Sequence, residues 1–450
     1  MITENEISTA RACLGHALEA GASKARITLE KNTMDLVSIL DGKVDKVTHC
    51  MDRSMTISLF ADGRYGSFSA NNLEPEFLKG FICSAVKTVR MLAPDTCRDL
   101  PASERKQTGA VTGTEMGTYD DTYSSFTPDE RKRIALGLSL HSPAGGCNLK
   151  GKGWKLVSEE GEYSDSEDDC IIIDTDGLFC RHSETAFDYG VEVTVQASGG
   201  RRYSSYAWHS SPFFKSFEGG PCGRRALDKA VAQIGSREFP AGKYRMVVDS
   251  DVASRLLKPV LEALSGYSIQ QNNSFLMNAV GRKAFSEGMT LRDVCHRPGE
   301  LGSRLFDSEG VRTREHDIIR GGVVQEYFIN TYMAAKLQMP PTVEDPQRVM
   351  LEGWPREGLM RDDILKICGE GILVTDFNGG NSSPATGDFS YGISGFAFKD
   401  GRITRPVSEM LITGNFRDLW NNLLAVGSDA RVCMSKHIPT LAFENVNFSG

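Results

Sequence analysis

An acidic segment is the first place where the sequence could do chemistry. Residues 158–169 hold seven carboxylates in twelve positions, which could bind calcium. An EF-hand loop needs oxygen ligands at positions 1, 3 and 5, glycine at 6 and glutamate at 12. The segment lacks that pattern, so we predict a solvated hairpin rather than a metal site.

Histidine and cysteine could bind a transition metal where several of them cluster. The eight histidines form neither H-E-x-x-H nor H-x-H, and the eleven cysteines contain no C-x-x-C. Cys433 and His437 are the closest pairing, but Pro439 indicates strand or loop there, and two ligands give at best a partial site. We therefore expect a buried cysteine beside an exposed histidine. Cys295 and His296 are adjacent, and in a strand they would face opposite sides.

Phosphate binding and serine chemistry also lack their usual patterns. Residues 377–381 are rich in glycine and asparagine, but no strand–GxGxxG–helix context and no P-loop lysine accompany them. Residues 392–395 fall short of a G-x-S-x-G elbow, because the second glycine comes one place early. The glycines instead favour tight backbone geometry or the close approach of a bound chain. Residue chemistry by itself therefore gives no evident active site.

Composition narrows the class of protein. The 450 residues suggest two or three domains, and the net charge of −8 argues against nonspecific binding to nucleic acid or anionic membranes. No apolar stretch approaches the ~20 residues of a membrane helix, and the polar first residues do not resemble a secretory signal. An odd number of scattered cysteines argues against a disulfide framework. We therefore expect a cytoplasmic protein.

The elements that must position any site are an α+β mixture of segregated helices and many hairpins. Thr3 and Glu6 predict a capping box for a first helix, and Thr127, Pro128 and Glu130 predict another helix start. Asp-Gly pairs at 41–42, 62–63 and 400–401 and Gly-Gly at 321–322 predict hairpin turns. A buried strand at 244–248 and a helix at about 252–264 open the third region.

Domain limits follow from these elements. We predict an N-terminal α+β domain over residues 1–238, with sub-regions 1–92 and 113–238 joined by a linker over residues 93–112, which are rich in Pro, Thr, Ser and Gly. A β-rich domain with a few helices would then cover residues 239–450.

The order of short motifs in the last 210 residues adds a resemblance to a known family. These motifs are Gly310–Thr313, Asp317–Tyr327, Gly371–Thr375, Asn378–Gly380, Thr386–Gly392, Gly395–Phe396, Asp400–Ile403, Pro406–Val407 and Ile412–Asn415. The succession closely resembles the TldD/PmbA family, and more specifically its PmbA (TldE) branch. The segments Thr-Gly-Asp-Phe-Ser-Tyr-Gly and Ile-Thr-Gly-Asn are the most diagnostic pieces.

The resemblance implies a role in a cytosolic zinc metallopeptidase, for which an older family label is modulator of DNA gyrase. TldD-type chains carry His-Glu-x-x-x-His on a helix and a cysteine near the C terminus, with the histidines and cysteine holding zinc and the glutamate serving as general base. Here Lys258, Pro259 and Ala263 stand at those helix positions, and Cys433 lies near the third ligand position. A lysine ammonium repels Zn²⁺, and the other two residues have no side-chain donor. The resemblance therefore implies neither catalytic residues nor a bound metal in this chain.

A non-catalytic subunit would need a partner and a surface for substrate. We expect a TldD-like catalytic chain that carries the zinc, a peptide or unfolded-protein substrate, and possible homodimers, without direct binding to nucleic acid or membrane. The candidate peptide-docking residues are Asn378, Gly379, Gly380, Thr386, Gly387 and Asp388. Two alternatives stay open: an independent metallopeptidase with an unorthodox site at Cys433 and His437, and a protein-interaction regulator without enzymatic activity.

Overall fold

The computed structural model describes residues 1–143 and 148–450. The chain forms two compact units. The first unit comprises Met1–Asp228, His296–Thr313 and Asn330–Glu344, and the second comprises Lys229–Cys295, Arg314–Ile329 and Asp345–Gly450. The domain limits and the linker that we derived from sequence stay predictions.

Helices and strands alternate in blocks along the described chain. The helices are α1 (Glu4–Glu19), α2 (Pro75–Val89), α3 (Pro128–Leu138), α4 (Pro221–Ala232), α5 (Ser254–Leu264), α6 (Gly266–Gln270), α7 (Thr331–Leu337), α8 (Arg361–Cys368) and α9 (Phe416–Asn421). The strands are β1 (Lys24–Leu40), β2 (Lys43–Ala61), β3 (Arg64–Ala70), β4 (Lys150–Gly151), β5 (Trp154–Asp174), β6 (Phe179–Ala197), β7 (Arg202–Ser211), β8 (Gly242–Val248), β9 (Leu291–Asp293), β10 (His316–Arg320), β11 (Val323–Val324), β12 (Val349–Leu351), β13 (Gly371–Ser382), β14 (Asp388–Lys399), β15 (Arg402–Asn415), β16 (Leu423–Val426) and β17 (Leu441–Ser449).

The first unit is built on one antiparallel sheet of long strands. Its order is β3-β2-β1-β5-β6-β7, and the short β4 lies beside β5. Ile27 and Leu29 of β1, Ile57 of β2 and Ile171 of β5 alternate onto one face and pack with α1 and α2. The period of two in these strands separates that apolar face from a second, more polar face.

The predicted helix starts of this unit are confirmed. Thr3 and Glu6 form the capping box of α1, and Thr127 and Glu130 form that of α3, which has Pro128 in its first turn. In each box the threonine hydroxyl accepts a backbone N–H while the glutamate accepts the N–H of the threonine. Four otherwise unpaired backbone donors are thereby satisfied.

The predicted hairpin turns are also confirmed. Asp41 and Gly42 have φ of +48° and +77°, and Asp62 and Gly63 have φ of +53° and +70°. Two consecutive residues with positive φ are the requirement of a type I′ turn, whose twist matches that of the flanking strands. Both turns therefore join neighbouring strands of the first sheet.

The prediction of a solvated hairpin at residues 158–169 is wrong. The segment lies within β5, between β1 and β6, in the middle of the sheet. Asp165 and Asp169 are buried there, because Arg131 of α3 and Arg181 of β6 form ion pairs with them. The density of charge along the sequence did not reveal these partners, which are distant in sequence or belong to another strand.

The second unit is mostly β-structure and contains a small barrel. Strands β15, β14, β13, β8 and β17 are successive neighbours, and pairing of β15 with β17 closes the barrel. β16 pairs with β17, and β11, β10, β9 and β12 form a second sheet. The hairpin prediction at 400–401 is confirmed by the pairing of β14 with β15, and that at 321–322 by the pairing of β10 with β11.

The predicted fold class, α+β with a mostly β C-terminal part, is confirmed. In the described ranges, 1–143 and 148–450, no helix is long and apolar enough to cross a membrane.

Candidate functional site

Helix α5 carries the residues that stand at the family's zinc-binding positions. Lys258 is exposed, with 68% of its side chain accessible, and its Nζ lies 3.6 Å from Oε1 of Glu262. Pro259 and Ala263 lie on the opposite, buried face, together with apolar neighbours such as Leu256. The lysine and the alanine therefore point to different faces of the helix.

This set of side chains does not fit a zinc ion. Zinc in a catalytic site takes three protein ligands of the Cys, His or carboxylate type. Ala263 and Pro259 offer a methyl group and an apolar ring, and the ammonium of Lys258 is paired with a carboxylate. Across residues 1–143 and 148–450, no group of three or more His, Cys, Asp and Glu side chains is arranged to hold a metal ion.

Cys433 and His437 lie in the loop between β16 and β17. Cys433 is buried, as expected, whereas His437 is half-buried rather than exposed. Nε2 of His437 lies 2.5 Å from a guanidinium nitrogen of Arg348, and its backbone pairs with Val349 and Leu351. A cation at this distance from the imidazole opposes binding of a metal cation at the same nitrogen.

Charged residues that sequence reasoning missed hold this loop next to the start of α5. Arg431, two residues before Cys433, donates to Asp251 at 3.0 Å, and Lys229 donates to the other oxygen of Asp251 at 2.5 Å. Arg361 forms a second ion pair, with Asp249, at 3.0 Å. No spacing in the sequence indicated these pairs, because each joins segments that are far apart along the chain.

Three of the candidate docking residues lie in the turn between β13 and β14 and at the first position of β14, and their polar groups bond to one another. Thr386 donates its hydroxyl to Asp388 at 2.7 Å, and Nδ2 of Asn415 donates to the carbonyl of Thr386 and to Asp388. The hydrogen bonds from Asn415 and Thr386 lower the pKa of Asp388. Gly387 has φ of +81°, and a side chain there would contact the ring of Phe275. The hydrogen bonds from Asn415 therefore connect the two most diagnostic motifs, the first of which begins in this turn.

The other three candidate docking residues form an irregularity in β13. The register against β14 shifts between Phe377 and Gly380. A Cβ at Gly380 would lie 2.1 Å from the carbonyl oxygen of Ser390, whereas Gly379, with φ of +98°, has open space around it. Asn378 is exposed and donates to Oγ of Ser394 at 2.7 Å.

This part of β13 also has one open edge. β13 pairs with β8 only through Ile372–Val374, and with β14 on its other side. Within the described residues no strand pairs with the second edge of β13 beyond Val374. Such an edge presents backbone donors and acceptors to which an extended chain can bind.

Contacts within the second unit bring the turn and helix α5 together. The backbone N–H of Phe275 donates to the carbonyl of Pro384 at 2.9 Å, and Oγ of the neighbouring Ser274 donates to the carbonyl of Ala263 at 2.5 Å. The guanidinium of Arg255 on α5 lies 5.3 Å from the ring centroid of Tyr391 in β14. Helix α5, the turn and the irregular part of β13 therefore lie close together in the second unit and form one candidate site, at which the open edge of β13 presents backbone hydrogen-bonding groups.

Two family profiles match most of the chain. Residues 241–450 match the PmbA/TldA metallopeptidase C-terminal domain, and residues 124–234 match the PmbA/TldA metallopeptidase central domain.

Individual relatives are similar over nearly the full length. The metalloprotease PmbA of Escherichia coli O157:H7 is 26% identical over 437 residues, which cover 95% of this chain and 92% of the relative. A crystal structure from Bacteroides thetaiotaomicron, described as a candidate modulator of DNA gyrase, is 34% identical with a TM-score of 0.93, and each chain covers 100% of the other. TldE from Thermococcus kodakarensis shares the fold at 19% identity, with a TM-score of 0.80 and coverage of 98% and 100%.

Proposed function

The chain belongs to the TldD/PmbA family of metallopeptidases, and from that membership we propose that it is a PmbA/TldE-type, non-catalytic subunit. Its partner would be a TldD-type chain that holds the zinc ion and hydrolyses peptides or unfolded segments. The proposed compartment is the cytoplasm, because an odd number of scattered cysteines is typical of proteins without a disulfide framework.

This proposal rests on the side chains of α5 that stand at the family's zinc-binding positions. Metal-assisted hydrolysis needs a cation held by several ligands, with an open position for water. Lys258, Pro259 and Ala263 supply no such ligands, and Cys433 would be a single thiolate. The chemistry is therefore assigned to the partner, and this chain contributes binding surface.

The substrate-binding part of the proposal rests on the open edge of β13. An extended peptide can pair with backbone groups on a free strand edge, which gives binding with little dependence on sequence. Asn378–Gly380 lie on that edge, and Gly379 leaves room for a bound chain. Thr386, Gly387 and Asp388 stay candidate docking residues, in a turn that is held by its own hydrogen bonds.

Reconstitution with a TldD-type chain tests the subunit role. We expect no zinc and no peptidase activity from this chain alone, and chelator-sensitive cleavage of an unstructured peptide after the two chains are mixed. Chelator-sensitive activity of this chain alone, with stoichiometric zinc that is lost in Cys433→Ser, would instead establish the independent peptidase. Recovery of DNA gyrase without a peptidase partner in a pull-down would favour the regulator.

A matched pair of glycine substitutions tests the docking edge. Gly379 and Gly200 both have positive φ, and neither has an atom within 4 Å of the position of a Cβ. In the reconstituted complex, Gly379→Tyr should raise KM for the peptide several-fold, because the ring occupies the space of the bound chain. Gly200→Tyr, in the turn before β7, carries the same backbone strain and should leave KM unchanged. Equal KM values for the two variants would contradict docking at this edge.

A further inference from the structure

The polar face of the first sheet contains an ordered array of side chains that the proposed function does not use. In the strand register Glu30 lies opposite Ser54 on one side and Cys170 on the other, and Cys170 lies opposite His182. One step along the strands, Asn32 lies between Asp52 and Asp168, and Asp168 lies opposite Glu184. Directly opposite residues share a face, so two rows of four side chains from β2, β1, β5 and β6 lie together.

This array lines a cavity of about 380 Å³, and Arg304 also contributes to its wall. The volume lies within the range of small-molecule pockets. Some of the polar groups satisfy one another: Asn32 donates to Asp168 at 2.5 Å, and Nε2 of His182 lies 3.2 Å from Glu184. All of these residues belong to the first unit.

Two groups of opposite charge at this cavity make no hydrogen bond or ion pair within the described residues, although the guanidinium of Arg304 lies 5.8 Å from the ring centroid of Phe306 and its charge lowers the pKa values of Asp168 and Glu184. Arg304 makes no hydrogen bond or ion pair through its guanidinium, and its Nε is buried without an acceptor. Glu30 likewise makes no hydrogen bond or ion pair, and its side chain is exposed. A guanidinium has five N–H donors, and leaving them unpaired in a partly buried place is unfavourable.

The neighbouring carboxylates also favour the binding of a positively charged group. Asp168 accepts hydrogen bonds from Asn32 and Ser166. Burial and the nearby charge of Glu184 raise the pKa of Asp168, although the hydrogen bonds from Asn32 and Ser166 and the charge of Arg304 act in the opposite direction. Asp52 accepts only the backbone N–H of Arg53 within the described part of the chain. Carboxylates on adjacent strands repel one another unless a cation lies between them.

We propose that this cavity binds a zwitterion of the size of an amino acid or dipeptide. The ligand's carboxylate would pair with Arg304, because a guanidinium fork matches carboxylate geometry. Its ammonium would pair with Glu30 and the adjacent carboxylates. The inference is separate from the proposed subunit role, since it needs no partner chain and no peptidase activity.

An organic zwitterion fits the cavity better than a metal ion. A small cation would leave the guanidinium of Arg304 without an acceptor, and it would experience repulsion from that guanidinium. In the described ranges, the carboxylates here are not arranged as a metal-binding group. A simple anion would pair with Arg304 but would leave Glu30 and Asp52 uncompensated.

Binding of L-alanyl-L-alanine to the full chain, measured by saturation-transfer NMR and calorimetry, tests the proposal. We expect saturable binding that falls by about tenfold or more, or about 1.4 kcal/mol, when either the amino group is acetylated or the carboxylate is amidated. Free L-lysine and L-glutamate serve as probes in case the dipeptide is too long. Absence of saturable binding by all three probes up to millimolar concentration overturns the proposal, as does equal binding of the blocked and unblocked dipeptides.

Variants localise the site. Arg304→Met and Glu30→Gln should each weaken binding of the unblocked probe by about tenfold. Lys79→Met and Glu76→Gln make the same changes of charge on the exposed surface of α2 and should leave binding unchanged. Thermal unfolding of each variant checks that the fold is retained, and Glu30→Gln, at an exposed position, keeps the test valid if Arg304→Met does not fold. Saturable binding that is unaltered in both pocket variants would contradict binding at this cavity.

Discussion

The two faces of strand β5 surround a carboxylate with different partners. Asp165, on one face, is fully buried, accepts a hydrogen bond from Nε of Arg131 that is shared between its two carboxylate oxygens, and accepts another from the hydroxyl of Tyr163. Asp168, three residues later, faces the cavity and accepts only neutral donors. The difference separates charges that the fold satisfies itself from charges that it leaves available to a ligand.

Removing the charge at each position should give the largest contrast. Asp165→Asn breaks a buried ion pair and leaves Arg131 only its longer ion pair, at 3.5 Å, with Asp35, so we expect a loss of about 3–5 kcal/mol in the free energy of unfolding. Asp168→Asn should change it by less than about 1 kcal/mol, because burial already penalises the charged form. Urea denaturation of both variants measures the contrast.

Equal losses of unfolding free energy in these two variants would contradict the contrast between the two faces. They would show that Asp168 is as important to the fold as Asp165, and the carboxylates facing the cavity would then be structural. The midpoints of urea denaturation of the two variants can be compared directly only if both variants have the same m-value.

The second unit offers a smaller version of the same contrast. Asn415 caps α9 by accepting the N–H of Arg417, and it donates to Thr386 and Asp388. Asn415→Ala should therefore cost about 1–2 kcal/mol. Asn378→Ala, which removes one exposed hydrogen bond to Ser394, should cost less than about 0.5 kcal/mol.

Thermal unfolding of Asn415→Ala and Asn378→Ala checks this prediction. A cost for Asn378→Ala that matches the cost for Asn415→Ala would assign the irregular part of β13 a structural role, and would weaken its assignment as a peptide-docking edge.

The smallest expected effect concerns Glu6, which belongs to a satisfied cluster. Burial alone would raise the pKa of Glu6, but the hydrogen bonds from Thr3 and the cations Arg53 and Lys31 lower it from 4.5 to about 2. Because the pKa of Glu6 is lower in the folded chain than in the unfolded chain, the ionised carboxylate stabilises the fold. This contribution is complete above pH 4.5 and is lost as the pH falls towards 2. Glu6→Gln should therefore lower stability by about 1 kcal/mol at pH 7.

The pH dependence of the unfolding temperature measures this prediction. The gap between wild type and Glu6→Gln should be constant from pH 7 to about 5, and it should narrow below pH 4.5 as Glu6 becomes protonated in the unfolded chain. A gap that stays constant down to pH 3 would show that the ionised form of Glu6 is not what stabilises the helix start.

Sequence patterns correctly predicted local elements of this fold, namely helix starts and hairpin turns. The capping boxes at Thr3 and Thr127 and the turns at Asp41 and Asp62 were predictable, since each depends on residues within a few positions. The acidic segment was assigned to a hairpin, because the charge pattern contained no sign of the arginines that pair with Asp165 and Asp169. Long-range pairing of strands therefore limited prediction of both the fold and the site.

The sequence by itself determined that the three α5 positions Lys258, Pro259 and Ala263 offer zinc no ligand, because a proline and an alanine have no side-chain donor and a lysine ammonium repels the ion. Only the tertiary structure decided which polar groups are satisfied. Arg304 and Glu30 line one cavity although 274 positions separate them in the sequence. The physical reason is that strand register places Glu30 and Asp168 on one face of the sheet, and the tertiary position of the loop that carries Arg304 adds the guanidinium to the same cavity.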